Sequence, residues 1–120
     1  MITHPELVKT LVKPGQEIVK ELTAEDANLW HMASCIPSEA GELFDAVKAH
    51  VIYRKPLDRM NVIEELGDLE FYMEGLRQAL GITRDETLAA NIFKLSKRYD
   101  KLKYSNESAQ ARADKTDNKA

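Results

Sequence analysis

A chain of 120 residues fits one domain with a single small core. Its 17 basic and 20 acidic residues leave a net charge of −3, which excludes a global electrostatic pull toward nucleic acid or an anionic membrane. The only cysteine, Cys35, excludes an intramolecular disulfide and fits a reducing cytoplasm. No apolar run approaches the ~20 residues that span a bilayer, and Met1-Ile2-Thr3-His4-Pro5-Glu6 lacks the layout of a signal peptide.

The chain reads as helices with short joints. A short helix is expected over 5–13, ended by Pro14-Gly15, and another turn or two over 16–22. Thr23 is placed to cap a helix from Ala24, with Glu25 and Asp26 in its first turn, running to about Tyr53. Pro37 is expected to kink or break it, because the ring removes one hydrogen bond and crowds the preceding turn, and Ser38 then caps a second segment. After the joint Arg54-Lys55-Pro56-Leu57, Asp58 caps a helix to about Leu80 with Gly81 as its stop. Thr83 caps a last long helix from Arg84 to about Leu102. From Ser105 the composition turns small and polar, and 109–120 reads as disordered or frayed. Nothing reads as a sheet, so the expected fold is all-α, a bundle of four to five helices. The expected division is 1–22, short N-terminal helices; 23–104, the main helical domain; and 105–120, a flexible tail.

Two segments carry the chemistry. Glu39-Ala40-Gly41-Glu42-Leu43 and Glu65-Leu66-Gly67-Asp68-Leu69 both read carboxylate, two residues, carboxylate, leucine. Acids three apart share a helix face, so two such helices packed together point four carboxylates at one spot. Four like charges repel strongly unless a hard cation neutralises them, and oxygen-only ligands suit Mg²⁺, with Mn²⁺ an alternative. Each pair also holds a glycine, Gly41 or Gly67, at a helix-propensity cost of about 1 kcal/mol. Close helix approach, room for a ligand, or merely tight packing would each explain that cost.

The helix from Asp58 carries an apolar seam at Val62, Leu66, Leu69, Met73, Leu76 and Leu80, with Asn61, Glu65, Asp68 and Tyr72 as a polar stripe at its edge. The last helix repeats the layout. Leu88, Ile92, Leu95, Tyr99 and Leu102 form its seam, and Asn91, Lys94 and Arg98 its stripe. Acids beside one buried face and cations beside another suggest metal on one side and phosphate on the other.

The ordered set resembles the MazG-like all-α nucleoside triphosphate pyrophosphohydrolases, in their short single-domain form. It comprises E-x-x-E at Glu39–Glu42, E-x-x-D at Glu65–Asp68 after 22 intervening residues, and N-x-x-K at Asn91–Lys94 with the nearby pair Arg98-Tyr99. The likeness spans roughly 24–104. It implies cleavage of an NTP or dNTP between the α and β phosphates to a monophosphate and pyrophosphate. Carried onto this chain, it implies Mg²⁺ held by Glu39, Glu42, Glu65 and Asp68, with Glu39 or Glu42 as general base. It further implies Lys94 and Arg98 on phosphate, Asn91 on phosphate or sugar, and Tyr72 near the sugar or metal. Trp30 and His31 either stack on and hydrogen-bond a base or are a core Trp and a partly buried His. Relatives of this kind assemble as dimers or tetramers, and Leu29, Met32, Ile36, Phe44 and Phe71 would suit such an interface. A nucleoside triphosphate and further copies of the chain are thus the expected partners, with no membrane and no nucleic acid.

Other residues carry plainer readings. Asp45 reads as a solvated acid paired with Lys48, or as a further ligand. Glu64 reads as a surface acid or as a group that steadies a metal ligand, Lys97 and Lys101 as surface groups, Lys48 and Lys55 as surface groups or phosphate contacts, His50 as structural and Cys35 as a small core residue. Two other functions compete. A di-iron carboxylate bundle would want Glu-x-x-His pairs, which are missing. A non-enzymatic helical nucleotide- or protein-binding module would leave the acids merely solvated.

Overall fold

The computed structural model describes residues 1–116 and is all-α, with no strand among them. Its helices are α1 (His4–Leu11), α2 (Gly15–Glu21), α3 (Ala24–Val51), α4 (Arg59–Leu80), α5 (Arg84–Arg98), α6 (Asn106–Ala111) and α7 (Ala113–Thr116), with a 3-10 turn at Asp100–Leu102. They form two compact units, Met1–Met73 and Glu74–Ala120, which divide within α4. No helix among the described residues is long and apolar enough to cross a membrane.

Helix starts are fixed by side chains that satisfy the first free N–H groups. Thr3, Thr23 and Thr83 each accept from the backbone N–H three residues on, and Glu6, Asp26 and Glu86 reach back to the threonine N–H. This reciprocal bonding holds Glu6 below the usual carboxylate range, because its charged form receives the Thr3 N–H and hydroxyl. Asp58 accepts from Asn61 N–H at 3.1 Å and starts α4 as its sequence position suggests.

In the first unit, of the kink or break expected at Pro37, the break does not occur: α3 runs 28 residues with Pro37 inside it, and Ser38 is an interior residue, not a cap. The helix has intact turns on both sides to carry the loss of one bond. Beyond Ile52 the chain turns through Arg54, a left-handed residue at φ 57°, and the Lys55 N–H returns to the Ala49 carbonyl at 3.1 Å. His50 Nδ1 donates to the Lys55 carbonyl at 2.7 Å, the structural role expected of it.

Helices α3 and α4 form an antiparallel hairpin. His31 and Cys35 meet Tyr72, while Glu39 and Glu42 meet Glu65, so moving up α3 means moving down α4. The line of α4 that faces α3 therefore includes Glu65 and Tyr72, the polar stripe itself. The apolar seam beside it is only half covered: Val62, Leu69 and Met73 are half-buried and Leu66 is exposed. No apolar side chain among the described residues is fully buried.

In the second unit, α4 ends on Gly81 at φ 67°. The Ile82 N–H reaches the Arg77 carbonyl at 3.0 Å and the Gly81 N–H reaches Gln78 at 3.2 Å, a Schellman stop. Glu74 pairs with Arg77 at 2.9 Å on the same turn. The last long helix is shorter than its periodicity suggests. It ends at Arg98, and Lys101 and Leu102 take left-handed φ values of 59° and 53°, so the seam positions Tyr99 and Leu102 leave it. Past residue 105 the polar sequence is helical to Thr116 except at Arg112, with the Ser105 hydroxyl accepting from Ser108 N–H at 3.0 Å to start α6. The remainder of the expected disordered stretch, 117–120, lies outside the described residues.

Candidate metal centre

The centre is built by spacing. Glu39 and Glu42 lie one turn apart on α3, and Glu65 projects from α4 between them. One carboxylate oxygen from each lies within 4.8 Å of the others. Glu39 and Glu65 are half-buried and Glu42 is exposed. One oxygen of Glu39 and one of Glu65 are shut off from solvent and have no hydrogen-bond partner. An orphaned buried acceptor is costly, and two beside a third carboxylate are more so.

The electrostatics follow. Burial, then Glu42, then Glu39 push Glu65 from the ordinary 4.5 up to about 7. Glu39 is raised as well, by burial first and by Glu42 next, with Asp68 adding to it. Without a counter-charge the cluster keeps a proton near neutrality. Three carboxylates with oxygens this close, two of them also carrying an unsatisfied buried oxygen, could hold a metal ion.

The three-oxygen cluster does not include Asp68. That residue is exposed, though near enough to raise Glu39 and Tyr72. Tyr72 lies one step along the hairpin, its hydroxyl within hydrogen-bonding reach of Cys35, and Cys35 chiefly raises its pKa. Its ring centroid is 6.5 Å from that of His31, and Phe71 meets it edge-on at 5.1 Å. The His31 ring therefore lies near that of Tyr72, and Cys35, which acts on the Tyr72 hydroxyl, is half-buried.

Trp30 occupies different surroundings. It is 74% exposed and, with Ile18, Leu22, Lys13, Glu21 and Asp26, lines a mostly apolar cavity of about 480 Å³. It is not a core residue. The cavity is lined from α2 and the start of α3, and Lys13, just before α2, pairs with Glu21 at the end of α2 at 3.2 Å. No spacing in the sequence signals that arrangement.

The cation stripe lies in the second unit. Asn91 and Lys94 are exposed on α5. Arg98 is half-buried against the carboxylate of Asp114 from α7, with Nε donating at 2.9 Å and a second guanidinium nitrogen at 3.3 Å. The pair lies 16 residues apart, beyond the reach of helix spacing, so sequence reasoning missed Asp114. Lys97 stacks over the Phe93 ring at 4.6 Å, and Lys48 lies over Tyr53 at 5.7 Å. Gly41 and Gly67 face open space: a Cβ built on either meets nothing within 4 Å, so neither serves close helix packing within this chain.

Compared with protein-family models, curated proteins and solved structures, the chain matches none of them.

Proposed function

We propose that the chain is a Mg²⁺-dependent nucleoside triphosphate pyrophosphohydrolase of the MazG-like kind its motifs resemble, cleaving NTP or dNTP between the α and β phosphates. The observation that carries this reading is the Glu39–Glu42–Glu65 cluster, in which one buried oxygen of Glu39 and one of Glu65 lack any hydrogen-bond partner. Glu39, Glu42 and Glu65 would hold the cation, with Asp68 beside them. Bound there, Mg²⁺ supplies Lewis-acid polarisation of phosphate oxygens and a more acidic water.

The protein's own groups do the rest. Glu42, the exposed member, or Glu39 accepts the proton of the attacking water. Water adds to the α phosphorus, the bridging α–β P–O bond breaks and pyrophosphate departs; Lys94 and Arg98, in the second unit, are the cations that the resemblance assigns to phosphate. Asn91 offers an amide to phosphate or sugar, and Tyr72 and His31 offer polar edges beside the acids. Trp30 offers an exposed face to a base. A cytoplasmic setting suits the lone free thiol of Cys35.

Assembly with further copies of the chain belongs to the same reading. Trp30, Phe44 and Phe71 stand 74%, 65% and 67% exposed, and no apolar side chain is fully buried among the described residues. A water-soluble chain of this size needs a core, and a dimer or tetramer would complete one. That same exposed surface favours the second reading, a helical binding module without turnover.

A turnover assay separates them. NTPs and dNTPs are incubated with the protein and Mg²⁺, and pyrophosphate and orthophosphate are measured separately. Pyrophosphate plus monophosphate, lost with chelator and with Glu42→Gln, supports the hydrolase. Orthophosphate alone means a different bond is cut. No release with any nucleotide or metal leaves the binding module.

A further inference from the structure

The proposed function needs Arg98 as an anion holder, and an anion already sits on it. The two donations to Asp114, at 2.9 Å and 3.3 Å, are the side-by-side grip with which arginine holds phosphate. The site is shielded, with the Arg98 side chain 17% and the Asp114 side chain 4% exposed. Pairing holds Asp114 below its ordinary range and raises Arg98, so both stay charged. A cavity of about 170 Å³ adjoins them, lined by Phe93, Lys94, Lys97, Lys115 and Asp114. Three lysines thus line the same cavity as the carboxylate that Arg98 grips, and that carboxylate comes from the tail.

The tail is built to be released. Its two helices have six and four residues, too short to persist alone. It buries no apolar side chain, and Asp114 is its one buried residue among the described residues. Left-handed, non-glycine residues mark both joints: Lys101 and Leu102 before α6, and Arg112 at φ 49° between α6 and α7. Such joints are strained for residues with a Cβ and favour extension once the clasp opens.

We propose that residues 105–116 form an autoinhibitory strap, in which the Asp114 carboxylate stands in for a phosphate on Arg98 and a polyphosphate anion must displace it. The identity of that anion rests on the proposed function. The displacement itself is read by binding, independent of turnover.

The test is calorimetric titration of inorganic pyrophosphate into the full chain. If the strap closes nine-tenths of the molecules, Asp114→Asn tightens binding about tenfold. Arg98→Ala weakens binding, and the gain from Asp114→Asn vanishes in the Arg98→Ala background. Glu107→Gln removes an exposed tail charge away from the clasp and gives no comparable gain. Unchanged or weaker binding by Asp114→Asn overturns the proposal, as does a gain that survives Arg98→Ala or is matched by Glu107→Gln. Turnover with no gain sinks the strap alone; a gain without turnover keeps the strap and sinks the hydrolase.

Discussion

Glu39 and Glu65 bring carboxylate oxygens within 4.8 Å of one another across two antiparallel helices, and each keeps one oxygen sealed from water with no donor. The repulsion this creates is the most informative feature of the molecule, because removing a charge or adding a cation must relieve it.

Removing the charge is the first prediction. Glu65→Gln keeps the shape and deletes one carboxylate, so the metal-free protein should melt a few degrees higher than wild type. The wild type should gain stability on adding millimolar Mg²⁺, and Glu65→Gln should gain little or none. Calorimetric melts with and without Mg²⁺ check both; equal gains in the two proteins would place the cation elsewhere.

The pH dependence has a definite sign. Glu65 ionises near 7 when folded and near 4.5 otherwise, so its charged form is disfavoured by folding. Its contribution to stability is full below about pH 4.5 and is lost as pH rises toward 7. Metal-free protein should therefore weaken across that window, and Glu65→Gln should flatten the trend. Mg²⁺ competes with the retained proton, so its affinity should rise over the same window, with proton release seen as buffer-dependent heat.

Pro37 offers a backbone test. It sits inside a continuous α3, two residues before Glu39. Pro37→Ala restores an N–H donor, and stability should rise by about 1–3 kcal/mol in urea unfolding. Unchanged Mg²⁺ affinity in that variant would show that the proline does not position Glu39.

The helix glycines are tested in the same way. An added Cβ at Gly41 or Gly67 meets open space, so alanine at either should add up to about 1 kcal/mol to helix stability. A stabilised Gly67→Ala that loses nucleotide turnover, or fails to assemble by light scattering, would show that the space belongs to a ligand or a second copy.

The exposed aromatics carry the assembly prediction. Wild type should scatter as a dimer or tetramer at micromolar concentration, and Phe71→Asp should shift it toward monomer with a lower melting temperature. A monomeric wild type would remove the oligomer from the proposed function.

Much of this was written in local sequence. Thr23, Asp58, Thr83 and Gly81 mark helix ends because a cap is settled by atoms three to five residues apart. The carboxylate pairs are legible for the same reason, since three residues return to one helix face. Tertiary structure decided what spacing cannot carry. It turned the polar line of α4 toward α3, gathered Glu39, Glu42 and Glu65 while leaving Asp68 exposed, kept α3 whole through Pro37, and set Asp114 on Arg98. Each of these depends on the rotation of one helix against another or on a contact across a flexible joint. Those are fixed by summed packing and charge over distant residues, which no single stretch of sequence contains.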